Sequence, residues 1–151
     1  MFKNILPILL LLSSTMSYFD FEVHQINGTL PLGYNDESGL LWVVTCLHTA
    51  HGDIPGKLDQ NQIAYYVWGG REHHCQNWET KPGTLHSDRN KLPHDCHPTG
   101  QQNDSQEPHF NVVVPTQHGL IPGKGLYSSN TAWFGYNGHE IVMEDNFYYV
   151  C

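Results

Sequence analysis

The chain reads as an all-β protein, and three observations carry that reading. Its 151 residues contain several short runs rich in β-branched and aromatic residues, each bounded by Gly, Pro, Asn or Asp. No stretch combines helical periodicity with capping residues. A block of sequence is also written twice, as expected when one small supersecondary unit has been copied. The predicted architecture is two tandem antiparallel β-rich repeats packed with pseudo-two-fold symmetry, the copies burying their apolar faces against each other.

Residues 1–17, MFKNILPILLLLSSTMS, place Lys3 before an apolar run from Ile5 to Leu12 and close on small polar residues at Ser17. That is the pattern of a secretory signal peptide, and the apolar run is too short to span a bilayer. No other stretch reads as a membrane span. The first repeat is expected over 18–80. It starts with FDFEVH (19–24), whose apolar and polar residues alternate with period two. The strands LLWVVTCL (40–47), IAYYVWG (63–69) and EHHCQNWE (72–79) follow. A polar stretch over 81–108 is read as a linker leading into the second repeat, with Cys96 available to pin it. The core of that repeat, 109–151, offers HFNVVV (109–114), TAWFGY (131–136) and EIVMEDNFYYV (140–150) in the same order.

The duplication is clearest in TAHGDIPGK (49–57) and TQHGLIPGK (116–124), which agree at seven of nine positions. One residue further out of step, AYYVWGGRE (64–72) meets AWFGYNGHE (132–140), matching Gly70 with Gly138 and Glu72 with Glu140. Within each IPGK, Pro presets φ and Gly accepts positive φ, the requirement of a type II turn. Each copy is therefore expected to be a tight turn delivering a lysine, Lys57 or Lys124, to a solvent-facing loop.

The hydrophobic fraction of 39% is enough for a packed core. The formal charge of −8 becomes one unit more negative once Lys3 leaves with the leader. With no basic run to reverse that locally, a nucleic-acid partner is not expected. Four cysteines all fall after the leader, and an even number in a secreted chain implies two disulfides. Three pairings are open; one bridge per half of the chain, Cys46–Cys75 and Cys96–Cys151, is the preferred one. Asn27 in NGT and Asn103 in NDS are acceptor patterns for N-glycosylation.

The order of apolar strand, HGxIPGK, aromatic strand, GGREH with QNWE, and then a second copy resembles the DM-nine repeat family over roughly residues 24–151. Characterised members are invertebrate mannose-binding lectins, often dimeric, that act in pattern recognition in innate immunity. The resemblance implies a sugar contact by the PGK lysine and by an acid in the preceding loop. Those positions are Lys57 and Asp36 in the first repeat. In the second they are Lys124 and Asn103, with Asp104 beside the latter. The resemblance gives Glu72 a structural or pocket-lining role, and Glu72 and its counterpart Glu140 are counted with the ligand-binding residues. The implied partners are mannose-type glycans on microbial or cell surfaces, met by a monomer or a homodimer.

Chemistry fits such a pairing: a carboxylate accepts, and an ammonium donates, the hydrogen bonds that vicinal sugar hydroxyls offer. Tyr34, Tyr65 and Trp68 are candidates for stacking on a sugar ring, although packing is the more general role of aromatics in small β domains. No catalytic residue is expected. Glu72 and Glu140 would be the carboxylates of a glycosidase, but no nucleophile elbow or zinc-protease motif is present. A metal centre would draw on His73, Cys75, Cys96 and His97, whose spacing matches no established zinc pattern; no metal and no cofactor is expected. The function expected is a secreted, non-catalytic, mannose-type carbohydrate-binding protein. The rival is a secreted protein-interaction module of the same fold without sugar binding.

Overall fold

The computed structural model describes residues 25–151, so the leader and the expected strand at 19–24 lie outside the described residues. Within them the protein is all-β, with twelve strands and no helix. The strands are β1 (Gly33–Asn35), β2 (Gly39–Thr49), β3 (Gly52–Leu58), β4 (Ala64–Trp68), β5 (Arg71–Cys75) and β6 (Trp78–Thr80). After a long connection come β7 (Gly100–Gln102), β8 (Pro108–Thr116), β9 (Gly119–Leu126), β10 (Thr131–Tyr136), β11 (His139–Met143) and β12 (Tyr148–Tyr149).

All ladders between these strands are antiparallel. The order β8-β7-β3-β4-β5-β11-β10-β9, returned to β8 by a long β8–β9 ladder, closes an eight-stranded barrel. β2 pairs with β3, and β1 joins β2 to β9, so elements from the two halves of the chain interleave. β7, in turn, bridges β3 and β8. The join between β5 and β11 is a single register pair, His139 opposite Arg71.

Three apolar clusters fill the interior. Leu41, Phe110, Val112, Ile121, Phe134 and Tyr149 form one, and Trp42, Val44, Ile54, Leu58 and Tyr66 another. Val43, Leu120, Val113 and Tyr148 make the third. Consecutive residues of β2 enter all three clusters. Residues 40–46 are buried almost without interruption, as expected of a strand covered on both faces.

The expected type II turns are not formed. IPGK lies inside β3 at 54–57 and inside β9 at 121–124, and neither Gly56 nor Gly123 has positive φ. The sequence reading failed because Pro-Gly is a turn signal only when nothing tertiary competes. One edge of β3 pairs with β7 at Gly52–Asp53 and with β4 at Lys57–Leu58. Pro55 falls between those ladders, where a missing N–H costs no hydrogen bond. β9 repeats the arrangement, with β1 at Gly119–Leu120, β10 at Lys124–Leu126 and Pro122 between.

The glycines serve close approach instead of turning. A Cβ on Gly56 would sit 2.0 Å from the Tyr65 carbonyl oxygen, and one on Gly123 would sit 2.2 Å from that of Trp133.

Both disulfides take the preferred pairing, Cys46–Cys75 and Cys96–Cys151. The first ties β2 to the end of β5. The second anchors the polar stretch 81–108, which also holds a bridge from Leu85 to Val150 and backbone bonds from His86 to Tyr149 and from Asn90 to Phe147. That stretch also contributes β7. The expected strand 72–79 divides into β5 and β6, and 140–150 into β11 and β12, because each run changes partner midway.

Candidate functional site: two lysine-centred pockets

The PGK lysines are not on exposed loops. Lys57 and Lys124 are 4% and 5% exposed, correcting the expectation of solvent-facing side chains. They are buried because β3 and β9 are paired along both edges and each side chain is enclosed by carbonyl and carboxylate partners, leaving only a small face on a pocket. Each finds a carbonyl in the other half of the chain and a carboxylate in its own. Lys57 Nζ donates to the Gly135 carbonyl at 2.7 Å and pairs with Glu72 Oε2 at 3.0 Å. Lys124 Nζ donates to the Val67 carbonyl at 2.7 Å and pairs with Glu140 Oε2 at 3.3 Å.

The two glutamates return the contact. Glu72 Oε1 accepts the Gly138 N–H at 2.8 Å, and Glu140 Oε1 accepts the Gly70 N–H at 2.9 Å. Glu72 and Glu140 thus hold the β10–β11 and β4–β5 turns respectively, each gripping the turn of the other hairpin. An ammonium has three N–H donors, and the carbonyl bond occupies one on each lysine.

Each lysine lines its own pocket. The Lys57 groove, about 530 Å³, is bordered by Glu37, Asp59, Tyr65, Glu72, His74 and Asn137. Asp59 is largely committed to its own turn, accepting the N–H groups of Asn61 and Ile63. Burial and the Asp59 carboxylate raise the Tyr65 phenol above its ordinary pKa, so it stays a hydroxyl donor. The Lys124 pocket, about 220 Å³, is aromatic: Trp68, Trp133, His109 and Leu126 surround Lys124 and Glu140. Burial lowers the Lys124 pKa, and Glu140 opposes that shift by charge and by hydrogen bonding.

Asp36 is exposed on the β1–β2 turn and is not among the lining residues of the Lys57 groove; its neighbours Glu37 and Ser38 are. Its carboxylate accepts from the Tyr136 hydroxyl and contacts His118 Nδ1 at 3.1 Å. Those hydrogen bonds, Tyr136 first and His118 second, hold Asp36 below the usual carboxylate range, and the same bond pushes Tyr136 up to about 12. The His118 and Tyr136 rings stack with centroids 4.0 Å apart.

Asn103 lies on the β7–β8 turn, its N–H bonded to the His51 carbonyl. His51 stacks on Trp68 at 4.5 Å. Burial, then His73 and Lys124, lowers the pKa of His51. Asp104 is occupied by Gln102 and the Ser105 N–H, which lower its pKa in that order. Neither Asn103 nor Asp104 lines the Lys124 pocket, whereas the adjacent Gln102 does. Asn27 is exposed in the Ile26–Thr29 turn, and Asn103 is exposed as well.

Of the aromatics singled out in the sequence, Tyr65 and Trp68 line the two pockets, while Tyr34 packs against the Trp42 cluster. The sulfurs of Cys75 and Cys96 are in separate disulfides, so the set with His73 and His97 cannot ligate a metal. Sequence reasoning missed Asp59, His74, Asn137, His109 and Trp133. Trp133 and Asn137 had a signal, since they stand opposite Tyr65 and Gly69 when the segments 64–72 and 132–140 are aligned. No family model matches the chain, and no curated protein matches it.

Proposed function

We propose that the protein is a secreted, non-catalytic carbohydrate-binding protein that takes mannose-type glycans in the Lys57 groove. The observation that carries this reading is the fixed Lys57–Glu72 pair at the base of a groove lined by hydroxyl, imidazole, amide and carboxylate groups. A donor with N–H to spare beside a ring of acceptors complements vicinal hydroxyls, and polar groups already held in place lose little entropy on binding. The glutamates are engaged in clasping backbone and lysine, which favours binding over turnover. Two disulfides fit an extracellular protein, and no described helix is long and apolar enough to cross a membrane.

The matched lysine, glutamate and glycine contacts also support a pseudo-two-fold relation between two repeats. In that relation each half supplies the lysine and glutamate of one site and the clasped turn of the other. Asp36 then acts at the rim, setting the turn that presents Glu37. Groups this few bind a single sugar weakly, so surface recognition relies on several sites engaging together.

The test is a glycan array with oxidised wild type and a Glu37→Ala/Asn137→Gly double variant. Both residues are exposed, and glycine keeps the φ of +52° at position 137, so the fold is retained. Mannose-type signal reduced at least tenfold in the variant supports the reading. No glycan signal from wild type overturns it in favour of a protein-interaction module. Undiminished binding by the variant removes the Lys57 groove as the site.

A further inference from the structure

The two copied hairpins end in different surfaces. Where β5 places His73, His74 and Cys75, the aligned positions of β11 hold Ile141, Val142 and Met143. Cys75 is sealed to Cys46 by a disulfide, whereas Ile141 and Val142 are 37% and 52% exposed. An exposed apolar run where the other copy is polar points to a contact surface.

The same strand has an open edge. β11 pairs with β10 along its length but with β5 only at His139. Asn137 and Gly138 both have positive φ, as in a two-residue hairpin turn, so the residues bonded to β10 are His139, Ile141 and Met143. Glu140 points the other way, its N–H bonding the Gly70 carbonyl at 3.0 Å. Val142, two residues on, therefore turns its N–H and C=O away from β10, and no described strand pairs with them. Beside that edge lies a groove of about 600 Å³, with Pro115, Phe134, Ile141 and Met143 as its apolar lining and His118 and Asn146 among its polar residues.

We infer that β11 is a docking edge for an extended, basic segment of a partner protein, which adds as a strand at Val142 and sets apolar side chains into the groove. Backbone pairing supplies the attraction and the groove the selectivity. Charge selects the basic class. The strand runs directly into Glu144 and Asp145, both exposed, and the one Lys or Arg after Lys91 is the buried Lys124. Glu140 is already paired with that lysine, and Arg71 stands only at the far end of the strand, opposite His139. The open stretch from Glu140 to Met143 is roughly 10 Å long, enough for about four residues of a partner.

This inference stands apart from the sugar reading, because none of the docking residues lines the Lys57 groove. The oxidised protein, labelled with ¹⁵N, is titrated with an acetylated and amidated heptapeptide of alternating lysine and valine. One comparison peptide replaces every lysine by glutamate, and another carries a methyl group on every backbone nitrogen and so cannot donate to a strand. The Val142 amide reports the edge by chemical shift and by hydrogen exchange. An Ile141→Lys variant, at an exposed position that tolerates a charge, places a cation on the edge. Trp42, whose indole N–H bonds the Thr29 carbonyl in the interior, is the control for an intact fold.

Saturable shifts at the Val142 amide with the lysine peptide, and slowed exchange of its proton, support the docking edge. Backbone methylation and Ile141→Lys should then each weaken binding on the order of tenfold. A methylated peptide that binds as well overturns strand addition, and an equally tight glutamate peptide overturns the basic class. Shifts confined to other surfaces, or none at all, overturn the site. A Val142 amide already slow to exchange in the free protein means that the edge is occupied within the chain. A shift there on concentrating the protein alone makes a second copy the occupant, and either result overturns the proposal.

Discussion

The Lys57 ammonium on β3 lies 2.7 Å from the carbonyl oxygen of Gly135 on β10, a contact between residues 78 positions apart. Its ion pair with Glu72 is almost fully enclosed, the two side chains being 5% and 7% exposed. Removing one partner strands the other charge without water, which costs roughly 3–5 kcal/mol. Lys57→Ala is therefore expected to lose stability of that order in urea denaturation, whatever it does to ligand binding. A Lys57→Met/Glu72→Leu double variant should recover much of the loss. Equal destabilisation by both variants would mean that the pair is not the source.

The close-approach glycines should separate sharply from the turn glycines. Gly56→Ala and Gly123→Ala each force a methyl into a backbone carbonyl and should lower the melting temperature severely or prevent folding. Gly69→Ala meets nothing within 4 Å and pays only for its φ of +62°, about 1–2 kcal/mol. Thermal melts of the three variants check the ranking, and a Gly56→Ala protein as stable as Gly69→Ala would contradict the close-approach account.

Burial, with a contribution from Lys124, depresses His109 from 6.5 to about 4 in the folded protein. Between those values the unfolded chain binds the proton and the folded one does not, so stability falls as pH drops through 6.5 and levels off near 4. The loss attributable to this group is up to about 3 kcal/mol. Urea midpoints measured from pH 7 to pH 4 should show a slope that is shallower in His109→Phe. Identical slopes would assign the acid sensitivity to other groups.

The two disulfides close loops with separations of 29 and 55 residues. On a chain-entropy account each contributes roughly 4 kcal/mol. Cys96→Ala/Cys151→Ala should also release the polar stretch over 81–99, giving faster amide exchange at His86 and Asn90 than in wild type. Cys46→Ala/Cys75→Ala should leave those two amides protected. Exchange mapped by mass spectrometry tests the contrast.

Legibility in the sequence followed locality. The strands at 40–47, 63–69, 109–114 and 131–136 were visible because β-branched and aromatic runs bounded by breakers are local signals, and the structure places strands on each. β1 and β7, three residues each, carry no such run and exist because β9 and β3 offer them an edge. At the candidate site the sequence singled out Lys57, Glu72, Lys124 and Glu140, and these do come together in pairs. Asp36 was expected beside Lys57 but engages Tyr136 and His118, residues that approach it only when β1 lies along β9.

By itself the sequence determined the all-β class, the cysteines that bridge and the positions of the recurring lysines and glutamates, since composition, spacing and repetition are properties of the linear chain. Only the tertiary structure decided that IPGK is strand and not turn, that both lysines are buried, and that one pocket is polar and the other walled by tryptophan. Those outcomes depend on which distant strand takes up each backbone edge. A proline can stay in a strand only where β3 or β9 changes partner, and that place is set by contacts across the whole barrel.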